Sequence, residues 1–336
     1  MVRSAGVDAG TDSYEIFLIE NGDCCAENFK SERVKEDPYS FVEAIESYEA
    51  EIYAGLSGYG SPIKKFSQLK DYELFLMTLN LDDERSIGLR SVMEMIREKD
   101  LNFYTIPGII HLPTVPEWRK FNKIDIGTSD KLCSAVLAVL QLSEEVSVEK
   151  QRFILAEVGH GFSSFVAIKN GKIVDSIGGT SGFLGYRSIG SMDAELAYLI
   201  KEFPKKMIFS GGVKSFVEEY GGKELEILSE FVLKGLKAVE VSIGKADYCI
   251  LSGRFAKALE KMISEHYDTQ ILEGFGIGKQ SAQGAGVIAN AIVGGEFEPI
   301  VRHMEIFSAR GTILDYLSSD FKRKVLEKLN LYFRSN

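Results

Sequence analysis

Two acidic residues each stand two positions before a glycine at the end of an apolar stretch. Asp8 precedes Gly10 in the sequence VDAG, and Glu157 precedes Gly159 in the sequence AEVG. A glycine turn lets backbone N–H groups come close to an anion, and a neighbouring carboxylate binds a divalent cation directly or through water. These residue types at this spacing are suited to a metal-bound polyphosphate, although each acid could also simply brace its own turn.

The two sites belong to a longer internal repeat. Residues 7–22 (VDAGTDSYEIFLIENG) align without a gap with residues 156–171 (AEVGHGFSSFVAIKNG), at a constant offset of 149 positions, which is 157 minus 8. Each copy predicts a strand, a turn, a second strand and an Asn-Gly hairpin turn into a third strand. The repeat therefore predicts two halves with one plan, although two common hairpins could also agree by chance.

Residues beside the two turns have side chains that could contact phosphate. Thr11, Asp12 and Ser163 can hydrogen-bond to phosphate oxygens, and they are also common turn formers. His160 lies between two glycines, of which Gly161 completes the second turn. Its imidazole could donate to a γ-phosphate or exchange a proton near neutral pH, or it could be an ordinary surface histidine.

Further candidate residues lie outside the repeat. Arg187 occupies a glycine-bounded loop, where a guanidinium could neutralise charge during phosphoryl transfer or form a simple surface ion pair. Asp130 and Lys131 begin a predicted helix and could face a ligand, or be solvated charges of the first helical turn. A glycine-rich loop could line a substrate pocket or be a plain connection. Its candidate residues are Ser57, Gly58 and Tyr59.

The elements that would position these residues follow an α/β pattern. Residues 129–142 predict an amphipathic helix, and the charged stretch at 143–150 is the best domain boundary. Beyond it the second half alternates helix and strand, with strands predicted at 206–212, 247–253 and 269–275.

Composition excludes several classes of function. A chain of 336 residues predicts two domains with substantial cores. The formal net charge of −10 disfavours nucleic acid or an anionic membrane as the main partner. We find neither a signal peptide nor an apolar run of ~20 residues, so we expect a cytoplasmic protein. The 4 cysteines form no CxxC pair, and reduced structural thiols are expected.

Competing phosphate-binding motifs do not match. The nearest P-loop candidate is EGFGIGKQS, which has Glu273 in place of the first glycine and Gln280 after Lys279. The same segment lacks the third glycine of a dinucleotide fingerprint. The sequence has no HExxH and no GxSxG, so it supports neither a zinc protease nor a serine hydrolase.

The twin hairpins resemble the phosphate-1 and phosphate-2 motifs of the actin-like ATPase superfamily, which includes the sugar kinases and the acetate and butyrate kinases. Residues 248–259 (YCILSGRFAKAL) resemble the adenosine motif of that superfamily, and residues 127–140 and 281–295 resemble its two connecting helices. The resemblance implies an α/β protein with duplicated ribonuclease-H-like domains, with ATP and Mg²⁺ bound in the cleft between them.

This resemblance also implies a division of the chain. The first ribonuclease-H-like domain is expected at residues 1–146 and the second, with the adenosine motif, at residues 147–311. Residues 312–336 are expected to form a C-terminal helix that could pack back on the first domain.

Residues 157–190 resemble the acyl-kinase segment that runs from a His-Leu-Gly-x-Gly-x-Ser turn to an Arg-Ser-Gly. The matching residues are Gly159, Gly161, Ser163, Arg187 and Ser188. Glu157 stands where those kinases have histidine, and Ile189 is inserted before the final glycine. These departures bear on acyl phosphate chemistry more than on ATP binding. The resemblance is nearest to the archaeal group described as predicted butyrate kinases, or as a domain of unknown function (DUF1464).

The resemblance implies an ATP- and Mg²⁺-dependent kinase whose acceptor is a small carboxylate, with a homodimer as a conceivable assembly. Asp8 and Glu157 would hold Mg²⁺, and Arg187 would stabilise the transferring phosphoryl group. Residues assigned to the nucleotide are Gly10, Thr11, Asp12, Gly159, His160, Gly161, Ser163, Ser252, Gly253 and Arg254. Residues assigned to the acceptor are Ser57, Gly58, Tyr59, Asp130 and Lys131. Two alternatives stay open: a nucleotide-gated module acting on a protein partner, and a nucleotide-binding scaffold without chemistry.

Overall fold

The computed structural model describes residues 2–81, 88–202 and 204–335. Within them lie two five-stranded sheets. The strands of the first sheet are β1 (Ser4–Ala9), β2 (Ser13–Glu20), β3 (Asp23–Lys30), β4 (Ile52–Gly55) and β5 (Phe103–Tyr104). The strands of the second sheet are β6 (Arg152–Val158), β7 (Ser163–Lys169), β8 (Lys172–Ile177), β9 (Tyr248–Ser252) and β10 (Thr269–Ile271).

Both sheets have the same topology. The strand orders are β3-β2-β1-β4-β5 and β8-β7-β6-β9-β10, with the hairpin strands antiparallel and the remaining pairs parallel. Asp8 pairs with Glu15 in the first sheet, and Glu157 pairs with Ser164 in the second, at the offset seen in the sequence. This duplicated ribonuclease-H-like α/β architecture confirms the predicted fold class.

The two Asn-Gly hairpin turns have the backbone that their sequences predict. Asn21 and Gly22 have φ values of 53° and 88°, and Asn170 and Gly171 have φ values of 55° and 68°. A type I′ turn needs positive φ at both central positions, which asparagine and glycine adopt at low cost. These turns fix the register that carries Asp8 and Glu157 to equivalent strand ends.

Helices cover both sheets. In the first half they are α1 (Ser31–Glu36), α2 (Pro38–Ser47), α3 (Asp71–Thr78), α4 (Leu89–Glu98), α5 (Glu117–Lys120) and α6 (Ser129–Leu142). In the second half they are α7 (Ala194–Ile200), α8 (Val213–Tyr220), α9 (Glu224–Glu240), α10 (Ala256–Ile263), α11 (Gln280–Ile292), α12 (Glu298–His303) and α13 (Ser319–Ser335).

Helices α6 and α11 form a central layer between the two sheets. Alternate residues of β1 and β2 face outward against α2 and α4, and the others face this central layer. The second sheet is divided in the same way, with α9 and α10 on its outer face. Helix α11, from the second half of the chain, packs on β1, β2 and β4 and so covers the first sheet. Helix α6, from the first half, contacts β6 and β7 of the second sheet.

The central layer is packed too closely for side chains at two glycines. A Cβ on Gly6 of β1 would lie 2.0 Å from the Ala282 carbonyl oxygen, and a Cβ on Gly284 would lie 2.0 Å from the Cys133 carbonyl oxygen. The small residues of α11 therefore allow it to contact both β1 and α6 through backbone atoms.

One predicted strand is wrong. Residues 206–212 were predicted to form a strand, but Lys205–Phe209 form a 3₁₀ helix, and among the described residues an isolated bridge joins Ser188 to Gly211. The apolar run there has three residues, followed by a serine and two glycines, and three residues are too few to distinguish a strand from a helical turn. The C-terminal helix α13 contacts the first half of the chain, since the ring centroid of its Phe333 lies 5.3 Å from that of Phe75 in α3. The predicted domain limits stay a prediction.

Candidate active site

The first turn connects β1 to β2 and follows Asp8. The Gly10 N–H donates to the Ser13 carbonyl oxygen at 2.9 Å, and the Ser31 hydroxyl donates to the Gly10 carbonyl oxygen at 2.9 Å. Burial, together with the nearby charge of Asp8, raises the pKa of Tyr14 to about 12. The Asp8 side chain is only 11% exposed, so the turn presents a largely buried carboxylate to the space between the sheets.

A lysine from the second half of the chain lies in this first turn. Lys279 directly precedes α11, and its Nζ is 3.2 Å from Asp8 Oδ2 and 2.5 Å from the Ser13 carbonyl oxygen. Its backbone N–H donates to the carboxylate of Glu15, which is buried. Asp8 and Glu15 lie side by side on β1 and β2. Asp8 thus binds the side chain of Lys279, and Glu15 binds its backbone.

Glu157, at the end of β6, has an equivalent lysine partner. Lys131 in the first turn of α6 forms an ion pair with Glu157 Oε1, and the Ser134 hydroxyl donates to Glu157 Oε2 at 2.7 Å. Lys131 Nζ is also 2.6 Å from Asp130 Oδ2. Burial raises the pKa of Glu157. Burial opposes the charge on Lys131, but the carboxylates of Asp130 and Glu157 outweigh it and raise the pKa of Lys131.

The second turn, between β6 and β7, leaves polar atoms unsatisfied. A Cβ on Gly161 would have no atom of the described residues within 4 Å. Ser163 Oγ and His160 Nδ1 are both buried, and neither has a hydrogen-bond partner in the part of the chain that the structure describes. Buried polar atoms are usually hydrogen-bonded in native proteins, and the oxygens of a phosphate are acceptors that could satisfy such groups.

Cations surround His160. Burial lowers the pKa of this imidazole, and the charges of Arg254, Arg187 and Lys214 lower it further against the opposing charge of Asp12. At neutral pH the ring is therefore uncharged and can both donate and accept a hydrogen bond. The three cations make this side of the second turn favourable for an anion.

The two turns face each other across one cleft. Gly253, at the end of β9, is packed on the second turn, since a Cβ there would lie 2.6 Å from the Val158 carbonyl oxygen. The next residue, Arg254, has its Nη1 3.4 Å from Oδ2 of Asp12 in the first turn. Gly253 has a φ of +86°, which favours glycine at this position. The adenosine-motif segment thus connects both turns.

Three of the five predicted acceptor residues line a small cavity together with Asp8. Its volume is about 40 Å³, and its lining includes Asp8, Ser57, Gly58, Asp130 and Cys133. The Gly58 carbonyl oxygen accepts a hydrogen bond from the backbone of Ser129 at 2.9 Å, which ties the glycine-rich loop to the start of α6. This volume suits about one water molecule or two, so an acceptor enters only if the cavity enlarges.

Two of the predicted acceptor residues have side chains that serve other contacts. The Ser57 hydroxyl donates to the Gly55 carbonyl oxygen at 2.7 Å and accepts from the Ile106 N–H at 2.8 Å. The ring centroid of Tyr59 lies 5.5 Å from Lys205 Nζ. Burial and the charge of Asp125 raise the pKa of Tyr59 above its ordinary value. Ser57 therefore shapes the loop rather than offering a free hydroxyl.

Residues 6–319 match the model of the family described as "Protein of unknown function (DUF1464)". The chain belongs to this family. No curated protein matches the chain. Among the described residues, no helix is long and apolar enough to cross a membrane.

Solved structures with a similar fold include two kinases. Acetate kinase from Entamoeba histolytica is 13% identical, with a TM-score of 0.54, and the match covers 79% of this chain and 93% of that one. A propionate kinase from Francisella tularensis subsp. tularensis SCHU S4 is 14% identical, with a TM-score of 0.57, and the match covers 85% of this chain and 98% of that one. This DUF1464 protein therefore has the actin-like ATPase fold that the resemblance of its hairpins implies.

The sequence identified both turns of this DUF1464 protein but missed two side chains that bind their acids. Lys279 stood in a segment that fails as a P-loop, and Ser134 lies one helical turn after Asp130. The one signal in the sequence for such partners was their position relative to a helix, because Lys279 directly precedes α11 and Lys131 lies in the first turn of α6. Thr11 is exposed, and buried Ser252 lies beside Glu157 in the sheet.

The donor atoms set limits on a metal ion. Among the described residues, no group of three or more His, Cys, Asp or Glu side chains could hold one. Mg²⁺ is commonly bound by one or two carboxylates together with substrate phosphates and water, so Asp8 with a nucleotide would suffice. Glu157 fits less well, because both of its carboxylate oxygens already accept hydrogen bonds.

Proposed function

We propose that this protein is an ATP- and Mg²⁺-dependent phosphotransferase that phosphorylates a small carboxylate, in the manner of a butyrate kinase. The observation that carries the proposal is the pair of equivalent turns at one cleft, bridged by Gly253 and Arg254. Each turn has a strand-end acid, and the second has unsatisfied polar atoms among cations. This arrangement is suited to holding a polyphosphate from two sides.

The nucleotide would lie between the two turns. Its γ-phosphate would accept hydrogen bonds from the second turn, including Ser163 and the neutral His160, while Arg254 and Gly253 would contact the adenosine side. Asp8 would hold Mg²⁺, and we assign Glu157 instead to positioning Lys131. Mg²⁺ would neutralise phosphate charge during transfer.

The transfer itself needs no general base when the acceptor is an ionised carboxylate. An acceptor oxygen forms a bond to the γ-phosphorus while the bond from that phosphorus to the bridging oxygen breaks, and ADP leaves with the bonding electrons. Arg187 is exposed, and it has no ion pair or side-chain hydrogen bond within the described part of the chain, so its guanidinium is free to stabilise the charge of the moving phosphoryl group. The acetate and propionate kinases with the same fold support a carboxylate acceptor.

Trapping the acyl phosphate tests this function. Enzyme, ATP and Mg²⁺ are incubated with acetate, propionate, butyrate or branched short-chain acids. Hydroxylamine converts any acyl phosphate to a hydroxamate, which is coloured as its ferric complex. We expect ADP and hydroxamate to form in equal amounts with at least one acid. Acceptor-independent hydrolysis alone would favour a nucleotide-gated module, and ATP binding without turnover on acids, sugars or alcohols would favour a scaffold.

A further inference from the structure

The Lys279 ammonium occupies the first turn in a position open to the cleft. Besides its bonds to Asp8 and to the Ser13 carbonyl oxygen, Nζ lies 2.9 Å from the position that a Cβ on Gly10 would take. The side chain retains 28% of its exposure. An ammonium group therefore rests directly on the glycine that was expected to approach phosphate.

Two separate anchors hold this lysine. The buried Glu15 carboxylate accepts a hydrogen bond from the Lys279 backbone N–H, and Asn28 donates to the other oxygen of Glu15 at 3.2 Å. Asp8 and Ser13 hold the ammonium group itself. The backbone anchor does not depend on the ammonium, so Nζ can exchange its partners without moving the start of α11.

The equivalent lysine in the other half is placed differently. Lys131 pairs with Glu157 and Asp130 instead of lying on the second turn. Among the described residues, a Cβ on Gly159 would contact only the Phe162 carbonyl oxygen, at 3.3 Å. The first turn therefore has a lysine ammonium resting on its glycine, whereas no such cation rests on Gly159 in the described part of the second turn. Such a pair matches a polyphosphate, whose oxygens can bind the cation on one side and backbone or hydroxyl donors on the other.

We propose that Lys279 binds the nucleotide phosphates, and that its ammonium moves from Asp8 to a phosphate oxygen when the nucleotide enters. This inference rests on the proposed nucleotide-dependent function. The exchange replaces one ion pair by another and frees Asp8 to face Mg²⁺. A lysine acts as a point charge toward phosphate, so Lys279 supplies attraction even where no metal ion accompanies the nucleotide.

Calorimetric titration with ATP tests the proposal, once with EDTA and once with excess Mg²⁺. The variant is Lys279→Met, which keeps the length of the side chain and removes its charge. We expect it to weaken metal-free ATP binding by about tenfold or more and Mg-ATP binding by only about threefold, because Mg²⁺ neutralises part of the phosphate charge. Lys279→Arg should restore most of the metal-free affinity.

Lys172→Met is the matched control, because Lys172 also forms a half-exposed ion pair, with Glu305 at 2.6 Å, and contacts neither turn. It should leave both affinities unchanged. Thermal unfolding shows whether each variant is folded, and Lys279→Gln replaces the Met variant if that one is not. Unchanged or tighter metal-free binding in a folded Lys279 variant would overturn the inference alone. A wild type that binds ATP under neither condition would overturn both this inference and the proposed function.

Discussion

Arg187 is the residue at which ground-state binding and transition-state stabilisation should separate. Its guanidinium is exposed beside His160, and the described residues offer it no ion pair. If it meets charge that develops during transfer, Arg187→Ala should lower kcat by about 10³-fold while ATP affinity changes by less than about threefold. Initial rates of hydroxamate formation and a separate ATP titration measure the two quantities.

Arg152→Ala is the control for this experiment, because Arg152 forms an ion pair with Asp247 at 2.7 Å at the opposite end of β6. It should change neither rate nor affinity. An Arg187 variant that keeps full turnover on an identified acceptor would remove this residue from catalysis. A proportionate loss of affinity and rate would instead identify a ground-state phosphate clamp.

At the scale of single residues, the sequence repeat predicted the equivalent strand-end positions of the two acids but not the side chains that bind them. Asp8 and Glu157 were found because the repeat aligns them, and a repeat is visible in one sequence. Lys279 reaches Asp8 from 271 positions away along the chain. No local pattern connects such residues, because their contact depends on how α11 packs on β1.

At the scale of elements, regular spacing made the hairpins and helices predictable. The helix at 129–142 was predicted with the limits that α6 has. The spacing could not predict that α11, which comes from the second half of the chain, covers the first sheet. An apolar helical face shows that a helix is buried without showing which sheet buries it.

The crossing of α6 and α11 gives a test of this packing. In Gly284→Ala the new methyl group would lie 2.0 Å from the Cys133 carbonyl oxygen, and backbone atoms must move to admit it. We expect the free energy of unfolding to fall by about 3 kcal/mol or more, at the upper end of overpacking costs. Denaturant unfolding followed by circular dichroism measures the loss.

Gly161→Ala is the matched variant, because its methyl group would meet no atom within 4 Å in the part of the chain that the structure describes. Its free energy of unfolding should stay within about 1 kcal/mol of the wild type, since the position has neither crowding nor a positive φ. A loss of less than about 1 kcal/mol in Gly284→Ala, like that expected for Gly161→Ala, would show that the helices do not cross as closely as described.

At the scale of the whole molecule, the two halves are in contact across the cleft. Arg254 reaches Asp12 at the mouth, and Lys205 reaches the first half from the segment after α7. The cavity beside Asp8 holds only about 40 Å³. The proposed acceptor would therefore need the halves to separate before it could bind beside Asp8, and to close again around it.

Lys205 should control that closure. Its Nζ donates to the carbonyl oxygens of Thr78 at 2.5 Å and Leu79 at 3.0 Å, at the C-terminal end of α3, where a cation is favoured by the helix dipole. A hydrogen bond to a charged group contributes about 1.5 kcal/mol or more, so Lys205→Met should shift the closed-to-open equilibrium about tenfold toward open. Because closure excludes water from the phosphates, the ratio of ATP hydrolysed without transfer to hydroxamate formed should rise severalfold.

The neighbouring Lys206 is exposed, and Lys206→Met should leave both this ratio and the radius of gyration in solution unchanged. If Lys205→Met matches that control in both measurements, the segment after α7 does not hold the two halves together.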